Sequence, residues 1–455
     1  MKRYFGTDGV RGIAGTDLDG KTAFILGAAA VALLGPRLVI GKDTRRSGDM
    51  LEAALVAGIT SRGGTALLAG IIPTPAVALL TRQLGANGGV VISASHNPPE
   101  YNGIKFFDAQ GFKLTTAQED SLEDTLQDVL DRGATGSLPS PATGDCIGTS
   151  HVIEDARERY IQHATGVLKN HNITLDTLKV AVDCGNGAAF ATTPEALRRL
   201  GAEVTAINDA GDGDTINVES GSTDVTALRE LVRNVGADLG IAHDGDADRT
   251  IALDALGNTI DGDYIEAICA LDMNVRGELP NTTIVSTVMC NLGLIKAMRA
   301  HGIQVIQTAV GDANVLEAMR QGGHQLGGEQ SGHMIFLKHN TTGDGLITAL
   351  MLMAAMQRSG RTLADLANAA LTKYPQQLIN VTVANKTALL GNEVIAEAIS
   401  ETEDALERKG GGRVLVRASG TEELVRVMVE AVSEQTALEQ AEKLATVVTE
   451  QMSGD

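Results

Sequence analysis

The chain has 455 residues, too many for one hydrophobic core, so roughly three or four domains are expected. A formal charge of -20 argues against nucleic acid or an anionic membrane as general partners, although Arg and Lys that converge locally can still bind an anionic small molecule. Aromatic residues make up only 3% and Trp is absent, so stacking on sugars or bases is not expected to dominate recognition.

Met1-Lys2-Arg3-Tyr4-Phe5-Gly6 contains no apolar run of signal-peptide length, and Ala23–Leu34 is too short to span a bilayer. A cytoplasmic protein is expected. In residues 1–148, helical patterns at Thr22–Leu34, Asp49–Arg62 and Pro75–Leu84 alternate with strands at Leu38–Ile40, Thr65–Leu68 and Val90–Ile92, the rhythm of a mostly parallel sheet. Ser137–Gly144 reads as a linker. Residues 149–249 repeat the alternation from Lys179–Asp183 to Leu239–Ala242. Residues 250–370 repeat it again, with strands near Ile284–Ser286, Gln304–Gln307 and Gln325–Gly327. Residues 371–455 differ: strand Arg413–Arg417, turn Ala418–Thr421, strand Val425–Glu430 and helix Gln435–Met452 predict a smaller α+β domain. The expected class is α/β, with three related units of mixed or parallel sheet plus that C-terminal domain. Cys146, Cys184, Cys269 and Cys290 are widely spaced and predict buried free thiols, neither a zinc site nor a disulfide framework.

Each larger segment runs a strand into a polar loop. After Val90-Val91-Ile92 comes Ser93-Ala94-Ser95-His96-Asn97-Pro98, which places Ser95 at the open end of a strand, where α/β sheets bind ligands. Ser95 lacks the Gly-x-Ser-x-Gly elbow, and His96, its neighbour on an extended segment, points away from it. His243-Asp244-Gly245-Asp246-Ala247-Asp248-Arg249 sets three carboxylates at i, i+2 and i+4, able to wrap a hard cation. A calcium helix-loop-helix site is excluded, because Arg249 and Ala255 stand where that loop needs Gly and Glu. Three carboxylates completed by substrate oxygens suit Mg²⁺. Gly327–His333 offers a carboxylate, an amide, a hydroxyl and an imidazole for sugar hydroxyls. Arg417-Ala418-Ser419-Gly420-Thr421 has the make-up of a phosphate nest. Asp183–Ala188 reads as a structural turn. Arg11 and Lys105 are further cations that can reach the same site. No Gly-x-x-x-x-Gly-Lys-Ser/Thr loop occurs.

Together these residues resemble the α-D-phosphohexomutase superfamily, whose phosphoserine, metal, sugar and phosphate loops occur here in order at Ser95–Pro98, Asp244–Asp248, Gly328–Gly332 and Arg417–Thr421. Phe5–Gly12, Gly328–His333 and Asn340–Gly345 are of the type carried by its bacterial members that act on glucosamine phosphates. The resemblance implies four domains around a central cleft. It implies interconversion of glucosamine 6-phosphate and glucosamine 1-phosphate, towards UDP-N-acetylglucosamine. It further implies a phosphorylated Ser95, one Mg²⁺ held by Ser95, Asp244, Asp246 and Asp248, and glucosamine or glucose 1,6-bisphosphate as activator. Glu329 and Ser331 are then expected on the sugar, Arg417, Ser419, Gly420 and Thr421 on the non-reacting phosphate, and His96, Lys105, Arg249, Arg11 and His333 beside Ser95 in the catalytic set. Gln330 and Asn340–Gly345 point to the amino sugar.

Two positions depart from the subgroup's pattern: Gly311-Asp312-Ala313-Asn314 stands where Gly-Asp-Arg-Tyr is usual, and Glu423 where Pro is usual. The alternatives are a phosphomannomutase or phosphoglucomutase of the same superfamily, a phosphatase, which would release inorganic phosphate, and a non-catalytic sugar-phosphate sensor, which would lack Ser95 or the aspartates. Monomer and homodimer both stay open.

Overall fold

The computed structural model describes residues 4–6, 8–131, 136, 138, 140–419 and 423–452. Thr7 of the N-terminal Phe5–Gly12 segment, Ser137 and Pro139 of the expected linker, and Gly420 and Thr421 of the expected phosphate nest lie outside the described residues. The chain divides into two compact units, residues 1–289 with 304–370, and residues 290–303 with 371–455.

The larger unit holds three sheets. The first contains β1 (Phe5–Gly6), β2 (Gly9–Ile13), β3 (Arg37–Lys42), β4 (Thr65–Ile71), β5 (Gly88–Ile92), β6 (Tyr101–Asp108) and β7 (Ser150–Val152), in the order β1-β2-β6-β5-β3-β4-β7. The second contains β8 (Lys179–Asp183), β9 (Glu203–Ile207), β10 (Leu239–Ala242), β11 (Ile251–Asp254) and β12 (Thr259–Ile260), in the order β12-β11-β10-β8-β9. The third contains β13 (Thr283–Thr287), β14 (Gln304–Thr308), β15 (Leu326–Gly328) and β16 (Met334–Phe336), in the order β14-β13-β15-β16.

One plan recurs. β6-β5-β3-β4, β11-β10-β8-β9 and β16-β15-β13-β14 are the same four-strand core, three parallel strands and one antiparallel partner. In each, the chemistry-bearing loop joins the parallel strand β5, β10 or β15 to its antiparallel neighbour. All five β5 residues and all four β10 residues are buried, so their β-branched and small apolar side chains pack on both faces and the first polar residues emerge at the strand end. The related-unit expectation is thus visible in topology.

Pairing moves the expected boundaries. β7 pairs with β4, so the first sheet extends past residue 148. β11 and β12 pair onto β10, so the second sheet runs past 249 to residue 260. Residues 290–303, including helix Leu292–Ala300, belong to the C-terminal unit: Asn291 Nδ2 donates to Tyr374 O at 2.9 Å, and Glu430 accepts from Leu292 N at 3.1 Å. That unit's sheet is antiparallel, with β17 (Gln376–Thr382), β18 (Gly412–Ala418) and β19 (Leu424–Ala431) in the order β17-β19-β18, and packs on helices Glu393–Arg408 and Glu434–Met452.

No described disulfide links the cysteines. Cys184, Cys269 and Cys290 are buried free thiols, but Cys146 is exposed, because it lies in a short turn outside any sheet. No helix among the described residues is long and apolar enough to cross a membrane.

Candidate active site

Ser95 is buried, and its Oγ donates to Asp244 Oδ2 at 2.6 Å, joining the loop of the first sheet to that of the second. Its backbone has φ 53°, a left-handed conformation that costs a non-glycine residue about 1–3 kcal/mol. Neighbouring contacts hold it there. Ser95 N donates to Ser93 Oγ at 2.9 Å, and Ser93 Oγ donates to Asp43 Oδ2 at 2.6 Å. Asp43 also accepts from Arg45 Nε at 2.9 Å, and burial raises its carboxyl pKa against the pull of Arg45. Arg45 binds the carbonyl oxygens of Ser95 (3.1 Å), Asn97 (2.7 Å) and Tyr101 (3.0 Å), and that of Pro98. Asn217 Nδ2 adds bonds to Ser95 O at 2.8 Å and Asn97 O at 3.0 Å.

Asp244, Asp246 and Asp248 are all buried, with one carboxylate oxygen from each within 4.8 Å of the others. Asp246 Oδ2 accepts from Thr74 Oγ1 (2.6 Å) and Lys105 Nζ (2.9 Å), whereas Asp246 Oδ1 and Asp248 Oδ1 are buried without a hydrogen-bond partner among the described residues. Orphaned carboxylate oxygens are costly unless a cation meets them, so the residues fit a hard divalent ion such as Mg²⁺. Gly245 lets the loop lie close: a Cβ there would sit 2.6 Å from Ser95 O. Behind it, a Cβ at Gly187 would sit 2.4 Å from Gly245 O, so the Asp183–Ala188 turn, read as structural, packs directly against that loop.

The electrostatics are polarised. Burial, then Asp248 and Asp246, push the Asp244 carboxyl well above its ordinary range. Burial would also raise Asp248, but His333 and Lys105 outweigh it and hold that carboxyl low. Lys105 and Arg249 lose solvation on burial, yet the surrounding carboxylates win and raise both. His333 follows the same pattern: burial opposes the charge, Asp248 and Asp312 favour it, and its pKa rises to about 9. His96 is the reverse, lowered to about 4 by burial and by Arg249 and Arg11, hence neutral near pH 7.

The third loop meets the second directly. Arg249 and His333 form a β-bridge, and Thr250 N donates to Gly332 O at 3.0 Å. Glu329 Oε1 accepts from Gly311 N at 3.1 Å, and Ser331 Oγ has no hydrogen-bond partner among the described residues. Arg11 pairs with Asp8 and reaches Asn97 Oδ1 at 3.3 Å. The larger unit therefore brings together Ser95, the three aspartates, Lys105, Arg249 and His333. The two amino-sugar pointers are otherwise engaged. Gln330 Nε2 donates to Asp263 Oδ2 at 2.9 Å. Asn340–Gly345 is buried: Asn340 bonds Pro75 O and Asp344, and Asp344 caps helix Gly345–Ser359 and accepts from Tyr160 OH at 2.8 Å. Ala313 and Asn314 are exposed on the first turn of helix Asp312–Gly322.

In the C-terminal unit, Arg417 on β18 stands directly opposite Arg426 on β19. Burial and then Arg426 lower the Arg417 pKa, and Arg417 Nε has no hydrogen-bond partner among the described residues. Paired guanidiniums on one sheet face suit a dianion. Ser419 is buried just past β18. Arg426 was not singled out from sequence. Its signal was available in hairpin arithmetic, since both arginines stand equally far from the turn.

This fold and site define a phosphoryl-transferring sugar mutase: the chain belongs to the phosphoglucomutase/phosphomannomutase family, matching its alpha/beta/alpha domain I over residues 2–132, domain II over 158–257, domain III over 261–374 and its C-terminal domain over 378–447. Within the family, a protein of Saccharopolyspora erythraea named phosphoglucosamine mutase is 50% identical over 98% of this chain and 99% of its own length. One of that name from Symbiobacterium thermophilum is 50% identical over 99% of this chain and 98% of its own. Among solved structures, a phosphoglucomutase/phosphomannomutase family protein of Burkholderia thailandensis shares the fold with TM-score 0.80 at 23% identity, covering 99% of this chain and 98% of its own. The Aspergillus fumigatus N-acetylphosphoglucosamine mutase, solved with GlcNAc-6P and magnesium, superposes with TM-score 0.71 at 18% identity, covering 100% of this chain and 96% of its own.

Proposed function

We propose that this chain interconverts glucosamine 6-phosphate and glucosamine 1-phosphate, with Ser95 as phosphoryl carrier. The observation that carries the reading is the 2.6 Å contact of Ser95 Oγ with one member of a three-carboxylate cluster, in a chain half identical to phosphoglucosamine mutases over its whole length. The phosphoserine oxygen, Asp244, Asp246 and Asp248 would hold Mg²⁺. When bound, the ion supplies Lewis-acid stabilisation of charge on the phosphoryl oxygens.

In the forward direction the C1 hydroxyl of glucosamine 6-phosphate attacks phosphorylated Ser95. The Ser95 Oγ–P bond breaks, a bond from P to the C1 oxygen forms, the C1 hydroxyl proton is balanced by protonation of the departing Ser95 Oγ, and a 1,6-bisphosphate results. The bisphosphate then turns over, the C6 O–P bond breaks as Ser95 Oγ takes that phosphoryl group, the proton lost by the Ser95 hydroxyl is balanced by one gained at the C6 oxygen, and glucosamine 1-phosphate departs. Lys105, Arg249 and His333, cationic at neutral pH, stabilise the negative charge that develops on the transferring group. Glu329 and Ser331 orient sugar hydroxyls. Arg417, Ser419 and Arg426, with Gly420 and Thr421, hold the phosphate that is not reacting. Glucose 1,6-bisphosphate, bound to an Aspergillus fumigatus relative of the same fold, is a suitable priming donor for Ser95.

Turnover measured side by side on glucosamine, glucose and mannose 1-phosphates tests the reading. Highest kcat/KM on glucosamine 1-phosphate is expected. Equal efficiency on mannose 1-phosphate would move the assignment to a phosphomannomutase, and release of inorganic phosphate to a phosphatase.

A further inference from the structure

Six charged side chains form a closed ring of alternating sign within the larger unit. Lys105 Nζ lies 3.7 Å from Asp248 Oδ2 and 3.1 Å from Asp8 Oδ2. Asp8 Oδ1 lies 2.5 Å from Lys113 Nζ, which lies 2.8 Å from Asp312 Oδ2. Asp312 Oδ2 is 3.8 Å from His333 Nε2, and His333 Nδ1 is 3.6 Å from Asp248 Oδ2, closing the circuit. The ring joins the metal loop (Asp248), the sugar loop (His333), the start of helix Asp312–Gly322 and the N-terminal segment (Asp8). Lys105 also grips Asp246 at 2.9 Å.

Lys113, Asp8 and Asp312 have no place in the chemistry proposed above, and Lys113 is the cation that ties the other two together. Its side chain is 8% exposed, and a lysine is buried this deeply only when carboxylates meet it. Here they come from two distant segments. Without Lys113, Asp8 would keep Lys105 and Arg11, Asp312 would keep, among the described cations, only His333 at 3.8 Å, and the direct tie between the two carboxylates would be lost. Movement of Asp312 would carry Gly311, whose N–H binds Glu329, while movement of Asp8 would loosen Lys105 and hence Asp246.

We infer that Lys113 is a positioning residue that fixes the metal loop and the sugar loop in one register through Asp8 and Asp312. This rests on the reading of Asp244–Asp248 as the metal site and Glu329–His333 as the sugar site. It also gives Asp312 a partner of its own, independent of the Ala313 and Asn314 beside it.

The test compares full-length wild type with K113M, K113R, D312N and the double variant K113M/D312N. Mg²⁺ affinity is read by isothermal titration, the KM for glucosamine 1-phosphate by turnover, and Tm by calorimetry. In K113M, Mg²⁺ affinity and KM should worsen together, each by about tenfold, the usual effect of losing a supporting partner. K113R should recover most of both, and the double variant should lose less than the product of the two single losses. A folded K113M with both constants unchanged, or one with only a lower Tm, overturns the inference. If K113M does not fold, D312N decides: unchanged Mg²⁺ affinity and KM in that variant overturn it equally. A wild type inert on glucosamine phosphates would sink the functional reading, while the titration would still judge the ring.

Discussion

Ser95 Oγ and Asp244 Oδ2 stand 2.6 Å apart although 149 residues separate them in the chain. The contact exists because two sheets of one plan each end a buried parallel strand in a polar loop, and the loops of β5 and β10 face each other. A nucleophile from one unit thus meets a metal-ligating set from the next.

Replacing Ser95 by Ala should abolish turnover with the fold intact, because no other group at the site can store a phosphoryl group between half-reactions. Intact-protein mass spectrometry should find one added phosphate on wild type and none on S95A. Undiminished turnover by S95A would end the carrier scheme.

Asp246→Ala or Asp248→Ala should lower kcat on the order of 10²-fold or more, as expected when a group stabilising transferring charge is lost. A chelator should silence wild type reversibly, with Mg²⁺ restoring it. Full activity in excess chelator would show that the carboxylates serve another purpose.

Ser93→Ala removes the acceptor of Ser95 N–H and the donor to Asp43 together. Asp43 keeps Arg45, but Ser95 N–H is left unpaired, and a buried polar group so left costs about 1–3 kcal/mol, so a drop in Tm should accompany a fall in kcat. Ser93→Thr keeps the hydroxyl and should lose less. Unchanged kcat in a destabilised S93A would make Ser93 a matter of stability alone.

Arg426→Ala and Arg417→Ala should each raise KM, not stop chemistry, since their proposed partner is the phosphate at rest. A charge-assisted contact is worth about 1.5–3 kcal/mol, hence roughly a ten- to hundredfold rise in KM. The loss in R426A should be partly offset by relief of Arg417, whose pKa its neighbour depresses. A KM unchanged in both variants would place the anion site elsewhere.

Local chemistry was legible wherever the decisive residues lie close in sequence. Ser95 after Val90-Val91-Ile92, the i, i+2, i+4 carboxylates of Asp244–Asp248, and the strands Lys179–Asp183 and Leu239–Ala242 needed only periodicity and spacing, because a short buried strand forces its polar residues to its end. Tertiary structure decided what each loop meets. That Gln330 is spent on Asp263, that Asn340–Gly345 is buried scaffold, and that Arg45 and Asn217 clamp the Ser95 loop all depend on contacts between residues 50 or more apart. The ring through Lys113 is of the same kind: Lys113 belongs to no sequence motif, and only the folded chain, by removing water from around it, makes its pairing with Asp8 and Asp312 obligatory.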